Sequence, residues 1–308
     1  MDGIQNAIEK RPGRAQALAL PAAALGFTFW GFSFMASRVA LDRTHMFNLL
    51  SHRFLLAFAV MNLLLAANAA RLSLRGRRLL PLLLLGLAEP VVYFLGEQYG
   101  ILHSNTIFSG VMIATIPLVC TLAAAPILHE RPSFGQLLCS ALSVAGVIGV
   151  GRMSRGSGAL DWGGVAGLLV AVAAAAVYTL LGRGLSAAFT PFERTYVMMG
   201  MGAGVFTLLA AVCCGPAAWL RPLSDPAYLA AAGFLGLCCS VGSYFLTSYA
   251  ITYMTVAREI VFANLTTAVS VFAGAVFLRE PFSRAGVLYC AMILAGIWGV
   301  QRAGRKRA

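Results

Sequence analysis

The chain has 308 residues, 59% of them hydrophobic and 11% charged, and a formal net charge of +12. Soluble domains average roughly 45–50% apolar and about 25% charged residues, so this chain lacks the charges to cover a globule of its size in water. The same figures exclude a disordered chain, a collagen and a disulfide-stapled miniprotein, and they make lipid the solvent.

A helix that crosses a bilayer needs about 20 mostly apolar residues. The charge-free runs, trimmed at glycine, proline and polar clusters, predict ten such helices joined by short turns. The first is expected over 18–39. It is too long for a signal peptide and ends on no small-residue cleavage site, so it reads as a retained anchor. It carries Trp30 and ends on Arg38, a residue expected to snorkel to the interface. The second, over 46–69, carries Arg53 about two turns in. A buried arginine suits a carboxylate; the alternative is helix packing against backbone carbonyls or Glu97.

The third helix, over 79–101, holds the most informative group. An ionisable side chain in the hydrocarbon region costs about 2.5–3.5 kcal/mol on insertion scales, so it is a functional candidate. Glu89 lies near the middle of this helix, followed by Pro90, whose missing N–H leaves a carbonyl one turn earlier without its partner. Glu89, Tyr93 and Glu97 are spaced i, i+4, i+8 and share one helix face. That face is expected to line a cavity, with Glu89 binding a cationic group or carrying a coupling proton. The competing reading is a fixed ion pair with Arg53 or Arg38.

Helices four and five are expected over 105–127 and 134–151, six and seven over 162–185 and 192–213. The eighth, over 227–250, carries Tyr244 and Tyr249; with Trp30, Tyr93, Tyr178 and Tyr253 these could wall a flat or cationic substrate, and core packing is the alternative. The ninth, over 255–278, places Arg258 and Glu259 one turn in, one of them an inner gate or both interfacial anchors. It also puts Asn264, Thr266 and Thr267 in mid-membrane. The tenth is expected over 284–302.

The seven cysteines sit in or beside apolar segments with no metal spacing, and read as buried small hydrophobes. No Walker A, GxGxxG or HExxH motif is present, so neither a cofactor nor an enzymatic function is expected. The basic residues bracket apolar runs instead of forming a nucleic-acid surface. Assigning both termini to the cytoplasm puts fourteen Lys and Arg residues on that side against six on the other, as the positive-inside rule requires. The glycines permit close helix approach, within one chain or in a homodimer.

Sliding the chain by 150 residues matches Leu85–Arg152 onto Leu235–Arg302 with 20 of 68 positions identical. The halves 1–152 and 153–308 therefore carry five spans each. Five is odd, so the second copy is expected upside down, an arrangement characteristic of secondary transporters.

The chain also resembles the drug/metabolite transporter superfamily, specifically its EamA-type ten-helix permeases. The resemblance rests on Phe29-Trp30-Gly31 with Arg38, on Arg53, on Tyr99-Gly100-Ile101 with Pro117, on the turns at Glu130 and Glu280, and on Asn264-Leu265. It implies a secondary exporter or exchanger of small metabolites, with spans five and ten peripheral to a central cavity, and it favours Trp30 and Tyr249 as substrate contacts. Thr266, Glu89, Glu97 and the Arg258-Glu259 pair depart from the family pattern and mark where selectivity would lie. The expectation is an all-α integral membrane protein of ten helices in two inverted repeats, in a bacterial cytoplasmic membrane. It exports a small amino-acid-like or amphipathic metabolite by proton coupling or exchange. An uptake permease of the same fold and a membrane scaffold without transport are the alternatives.

Overall fold

A computed structural model describes residues 14–68, 71–74, 76–116, 118–120, 134–156, 161–185, 188–253, 256–280 and 283–305. Among them every regular element is helical. The first half contributes α1 (Arg14–Leu41), α2 (Met46–Ala66), α3 (Leu80–Gly86), α4 (Tyr93–Leu102), α5 (Thr106–Ile113) and α6 (Phe134–Gly156). The second contributes α7 (Trp162–Leu185), α8 (Pro191–Cys213), the short α9 (Pro216–Leu220), α10 (Pro226–Gly233), α11 (Ser243–Tyr253), α12 (Val256–Val276) and α13 (Arg284–Arg305). Six stretches are long and apolar enough to cross a membrane: Leu18–Leu41, Met46–Ala66, Leu80–Leu102, Trp162–Gly182, Pro191–Cys213 and Pro226–Thr247. Thr106–Cys120, Phe134–Val150, Leu265–Val276 and Arg284–Gly299 are shorter apolar helices.

The helix starts are chemically specified. Asn105 caps α5 by accepting the Phe108 amide at 2.7 Å. Thr190 and Glu193 form a reciprocal capping box on α8, whose first residue is Pro191. Asp225 accepts the amides of Ala227 and Tyr228 ahead of Pro226.

Two helices are broken at positions related by the repeat. Between α3 and α4 the chain kinks over Leu87–Val92, where Glu89 is extended, with φ −141° and ψ 118°. The residue before a proline is pushed out of the helical region, and Pro90 itself has no N–H to return to the ladder. The i, i+4, i+8 face expected across residues 89–97 is therefore not one continuous helix. Between α10 and α11 a widened helical turn spans Phe234–Gly242 without any proline. Here the other half of the chain supplies the partners: Trp30 Nε1 donates to the Cys239 carbonyl at 3.1 Å and Arg53 Nε to Ser240 Oγ at 2.8 Å. Ser243 Oγ donates to Gly26 and Cys238 carbonyls, both at 3.1 Å. A widened turn loosens its own ladder, and the Trp30 and Ser243 donors answer two of its carbonyls, Cys239 and Cys238.

The helices α6 and α13 pack on each other by glycine. A Cβ on Gly146 would stand 2.6 Å from Ile293 and 2.7 Å from the Tyr289 carbonyl oxygen, and one on Gly149 would strike the Tyr289 ring. Gly296 lies in the same way on Cys139 and Ser143, and Gly299 on Cys139. Exchanging residue i for i+150 maps this contact set onto itself. The partner moves down α13 as the contact moves up α6, so these two helices run antiparallel.

Candidate functional site

A cavity of about 490 Å³ lies among α1, α2, α4, α5, α7, α8, α11 and α12. Neither α6 nor α13 reaches it. The α1 helix contributes Phe27, Trp30, Ser33 and Phe34. The break before α4 brings in Glu89, and α4 itself adds Tyr93, Phe94 and Glu97. Thr266 and Thr267 enter from α12. At one end the cavity reaches the exposed Pro191, beside Arg194, Thr195, Tyr178 and Thr179. At the other end Ser37 and Gln98, both buried, are joined by a 3.3 Å hydrogen bond from Gln98 Nε2 to Ser37 Oγ.

The ionisable groups are arranged unequally. Both oxygens of Glu97 are occupied, one by the Tyr93 hydroxyl at 2.8 Å and the other by Gln98 Nε2 at 2.9 Å. Glu89 accepts the Tyr244 hydroxyl, which comes from the opposite half of the chain. Arg53 is 3% exposed, donates to Ser240, and sets its guanidinium carbon 4.3 Å from the centroid of the Phe94 ring. Among the described residues no carboxylate lies within 4 Å of Arg53 or Arg194, so the fixed ion pair of Glu89 with Arg53 or Arg38, the alternative reading, is not made. At the mouth Arg194 holds the Gly182 carbonyl at 3.2 Å, while its Nε is buried without a partner. Thr267 Oγ1 is likewise buried and unpartnered.

Trp30 stands between Phe27 and Tyr244, edge-on to both at 5.2 and 5.5 Å between ring centroids. The structure thus brings Trp30, Arg53, Glu89, Tyr93 and Glu97 to one cavity. Tyr249 lies beyond it on α11 and does not line it. Arg258, Glu259 and Asn264 lie on the α12 helix, with side chains outside the described set, as are Pro117 and Glu130 altogether. Arg38, near the end of its helix, has a side chain about a third exposed. It spans the carbonyls of Ile101, Leu102 and Ser104 and pairs with Asp42 at 3.3 Å. Cys213 is exposed at the end of its helix, whereas Cys239 and Cys290 are buried.

Sequence reasoning missed Arg194, Ser240, Thr247 and Gln98 as parts of or supports to this site. Arg194 looked like one more loop charge. Ser240, however, falls on Pro90 in the repeat, and that register was the available signal. No cluster of three histidine, cysteine or acidic residues suited to a metal occurs among the described residues. A wider surface bowl of about 860 Å³ sits at the opposite end of the bundle, where Arg43 pairs with Asp225 at 3.0 Å. The buried ionisable groups converge on the smaller cavity, which makes it the candidate site.

Three comparisons bear on what such a cavity serves. Relatives include an uncharacterized transporter, YcxC, of Bacillus subtilis (strain 168), 29% identical over 276 residues that make up 87% of this chain and 88% of the relative. An uncharacterized transporter of Archaeoglobus fulgidus is 24% identical over 91% of this chain and 97% of its own. A crystal structure with 19% identity superposes at a TM-score of 0.61 over 94% of this chain and 99% of the other, a likeness of fold alone. Residues 17–152 and 162–302 each match the EamA-like transporter family. The chain is a multi-pass membrane protein and belongs to the EamA-like transporter family.

Proposed function

We propose that this protein is a secondary active transporter that exports a small amino-acid-like or amphipathic metabolite by alternating access, driven by protons or by exchange. The observation that carries the reading is the cavity itself. It places two arginines, without ion-pair partners among the described residues, and two carboxylates between segments of both halves, open at one end. Arg53 and Arg194 suit an anionic group of the substrate, Glu89 suits a cationic one or a proton, and Trp30 and Tyr244 suit its apolar body.

The antiparallel, exchange-symmetric crossing of α6 and α13 supports ten spans in two inverted repeats, 1–152 and 153–308. Two copies of one shape have two near-equivalent packings, and trading them opens one face and closes the other. The mouth at Pro191 and Arg194 lies at the end where Arg77 and Glu193 pair at 3.3 Å. The arginine count assigns that end to the cytoplasm. The conformation then faces inward, poised to load a solute for export across a bacterial cytoplasmic membrane.

A thermal-shift screen of amino acids, their derivatives and amphipathic cations on detergent-purified protein tests the reading. A ligand at about 100 times its Kd stabilises the folded state by about 2.7 kcal/mol. At least one compound is expected to raise the midpoint, and Arg53→Gln to abolish that rise. A screen with no stabilising compound, or a rise that survives Arg53→Gln, contradicts it.

A further inference from the structure

The Glu280 turn is a repeated feature of the sequence that the cavity does not use. Its two carboxylate oxygens accept the amides of Thr106 and Ile107, at 2.7 and 2.9 Å. These are the first two amides of α5, which a helix start leaves without internal partners, and the carboxylate also faces the positive end of the helix dipole. The chain is shaped for this contact. Arg279 adopts a left-handed φ of 53°, and the Glu280 amide returns to the Gly274 carbonyl at 3.0 Å. Gly274 leaves room for the carboxylate, since a Cβ there would stand 2.8 Å from Oε2.

Arg38 grips the other side of the same connection. Its Nη1 donates to the Ile101 carbonyl at 3.1 Å and to those of Leu102 and Ser104 at 3.4 Å, where α4 ends. The turn between α4 and α5 is thus held by a cation on its carbonyls and an anion on its amides. Both come from other elements, and Glu280 comes from the other half of the chain. The clamp lies at the end of the bundle away from Pro191, above the Gln98–Ser37 bond. Beneath it, Thr266 Oγ1 donates to the Phe27 carbonyl at 3.0 Å and joins α12 to α1.

We propose that Glu280, assisted by Arg38, keeps this end of the chamber shut and is a positioning residue of the transport cycle. Release of the carboxylate from the α5 amides frees α4 and α5 to part from α12 and admits water to the cavity from that side. The proposal rests on the alternating-access reading above and adds to it the contact that must break.

The test uses the full-length protein with its native cysteines replaced by serine and Ser33→Cys on the cavity wall. It is embedded in vesicles of both orientations and exposed to a membrane-impermeant maleimide. In the parent, the thiol is expected to react from the mouth face only. Glu280→Ala is expected to raise the rate from the opposite face about tenfold or more, because two charge-assisted bonds are lost. Glu280→Gln keeps one acceptor oxygen and gives a smaller rise. A residue that merely capped a helix would lower thermal stability without changing the face from which the reagent arrives. A monodisperse Glu280→Ala protein that still reacts from the mouth and stays closed on the opposite face overturns the proposal. Should that variant not fold, Glu280→Gln and Arg38→Gln decide it by the same criterion. Parent reactivity from both faces, or from neither, removes the one-sided chamber and the transport reading with it, whatever Glu280 does.

Discussion

Replacing Glu89 by glutamine separates proton coupling from the other tasks of the cavity. Glu89 sits buried in the break before α4, bonded to Tyr244 of the second half, with no cationic nitrogen within 4 Å among the described residues. Glu97 differs, because both its oxygens are held by donors from its own helix. One carboxylate per chain can therefore change charge without dismantling a network inside a single helix, so the proton-coupled form of the proposal carries one proton per solute. A gradient of one pH unit is worth about 1.36 kcal/mol per proton, a tenfold concentration ratio. Glutamine keeps an oxygen for Tyr244 and removes the charge. In proteoliposomes given a labelled metabolite that stabilises the protein and a pH gradient of about one unit, the parent should build a solute ratio near tenfold. The Glu89→Gln protein should exchange the same solute but hold a ratio near one. A glutamine variant that accumulates solute as the parent does refutes the reasoning.

Other consequences follow from packing and charge. Gly146→Ala and Gly296→Ala each drive a methyl group into backbone of the facing helix, at 2.7 and 2.6 Å from a carbonyl oxygen. Each should cost about 1–3 kcal/mol in detergent unfolding; because the contacts exchange under the repeat, the two costs should match, and ligand affinity should not change. Ser240→Ala leaves the buried Arg53 Nε without its acceptor and should cost about 1.5–3 kcal/mol, with Ser240→Thr restoring most of it in the same assay. Partial burial raises the Asp225 carboxyl, but the Ala227 and Tyr228 amides and the Arg43 guanidinium outweigh this and hold it below its ordinary 3.8. A depressed value stabilises the fold above the unfolded pKa and is lost as pH falls through the folded one. The melting difference between the parent and Asp225→Asn should accordingly be widest above pH 3.8 and close below it.

Much of the helical framework was legible because lipid imposes a plain rule on chain composition. The charge-free runs place the helices from Met46, Trp162, Pro191 and Pro226 within a residue or two of where they start. Pro90 announced a disturbed third helix, yet not that Glu89 would be extended, since the sequence shows a lost hydrogen bond but not how the chain bends around it. The break at Phe234–Gly242 has no proline and interrupts the single helix expected over 227–250; its register against Leu87–Val92 was the one unused signal. Trp30, Arg53, Glu89, Tyr93 and Glu97 were legible as candidates because polar and aromatic groups are conspicuous in an apolar helix. The partners of Glu89 and Arg53 were not, because Tyr244 and Ser240 come from the opposite half and their approach is set by how the two breaks face each other.

The central claim is that this chain moves a solute through a chamber between two inverted halves. Counterflow tests it most directly. Sealed proteoliposomes are loaded with an unlabelled metabolite that stabilises the purified protein, then diluted into a trace of the labelled compound. The account predicts a transient internal excess of label that depends on the protein and disappears with Arg53→Gln. Label entering no faster than into protein-free liposomes would contradict it.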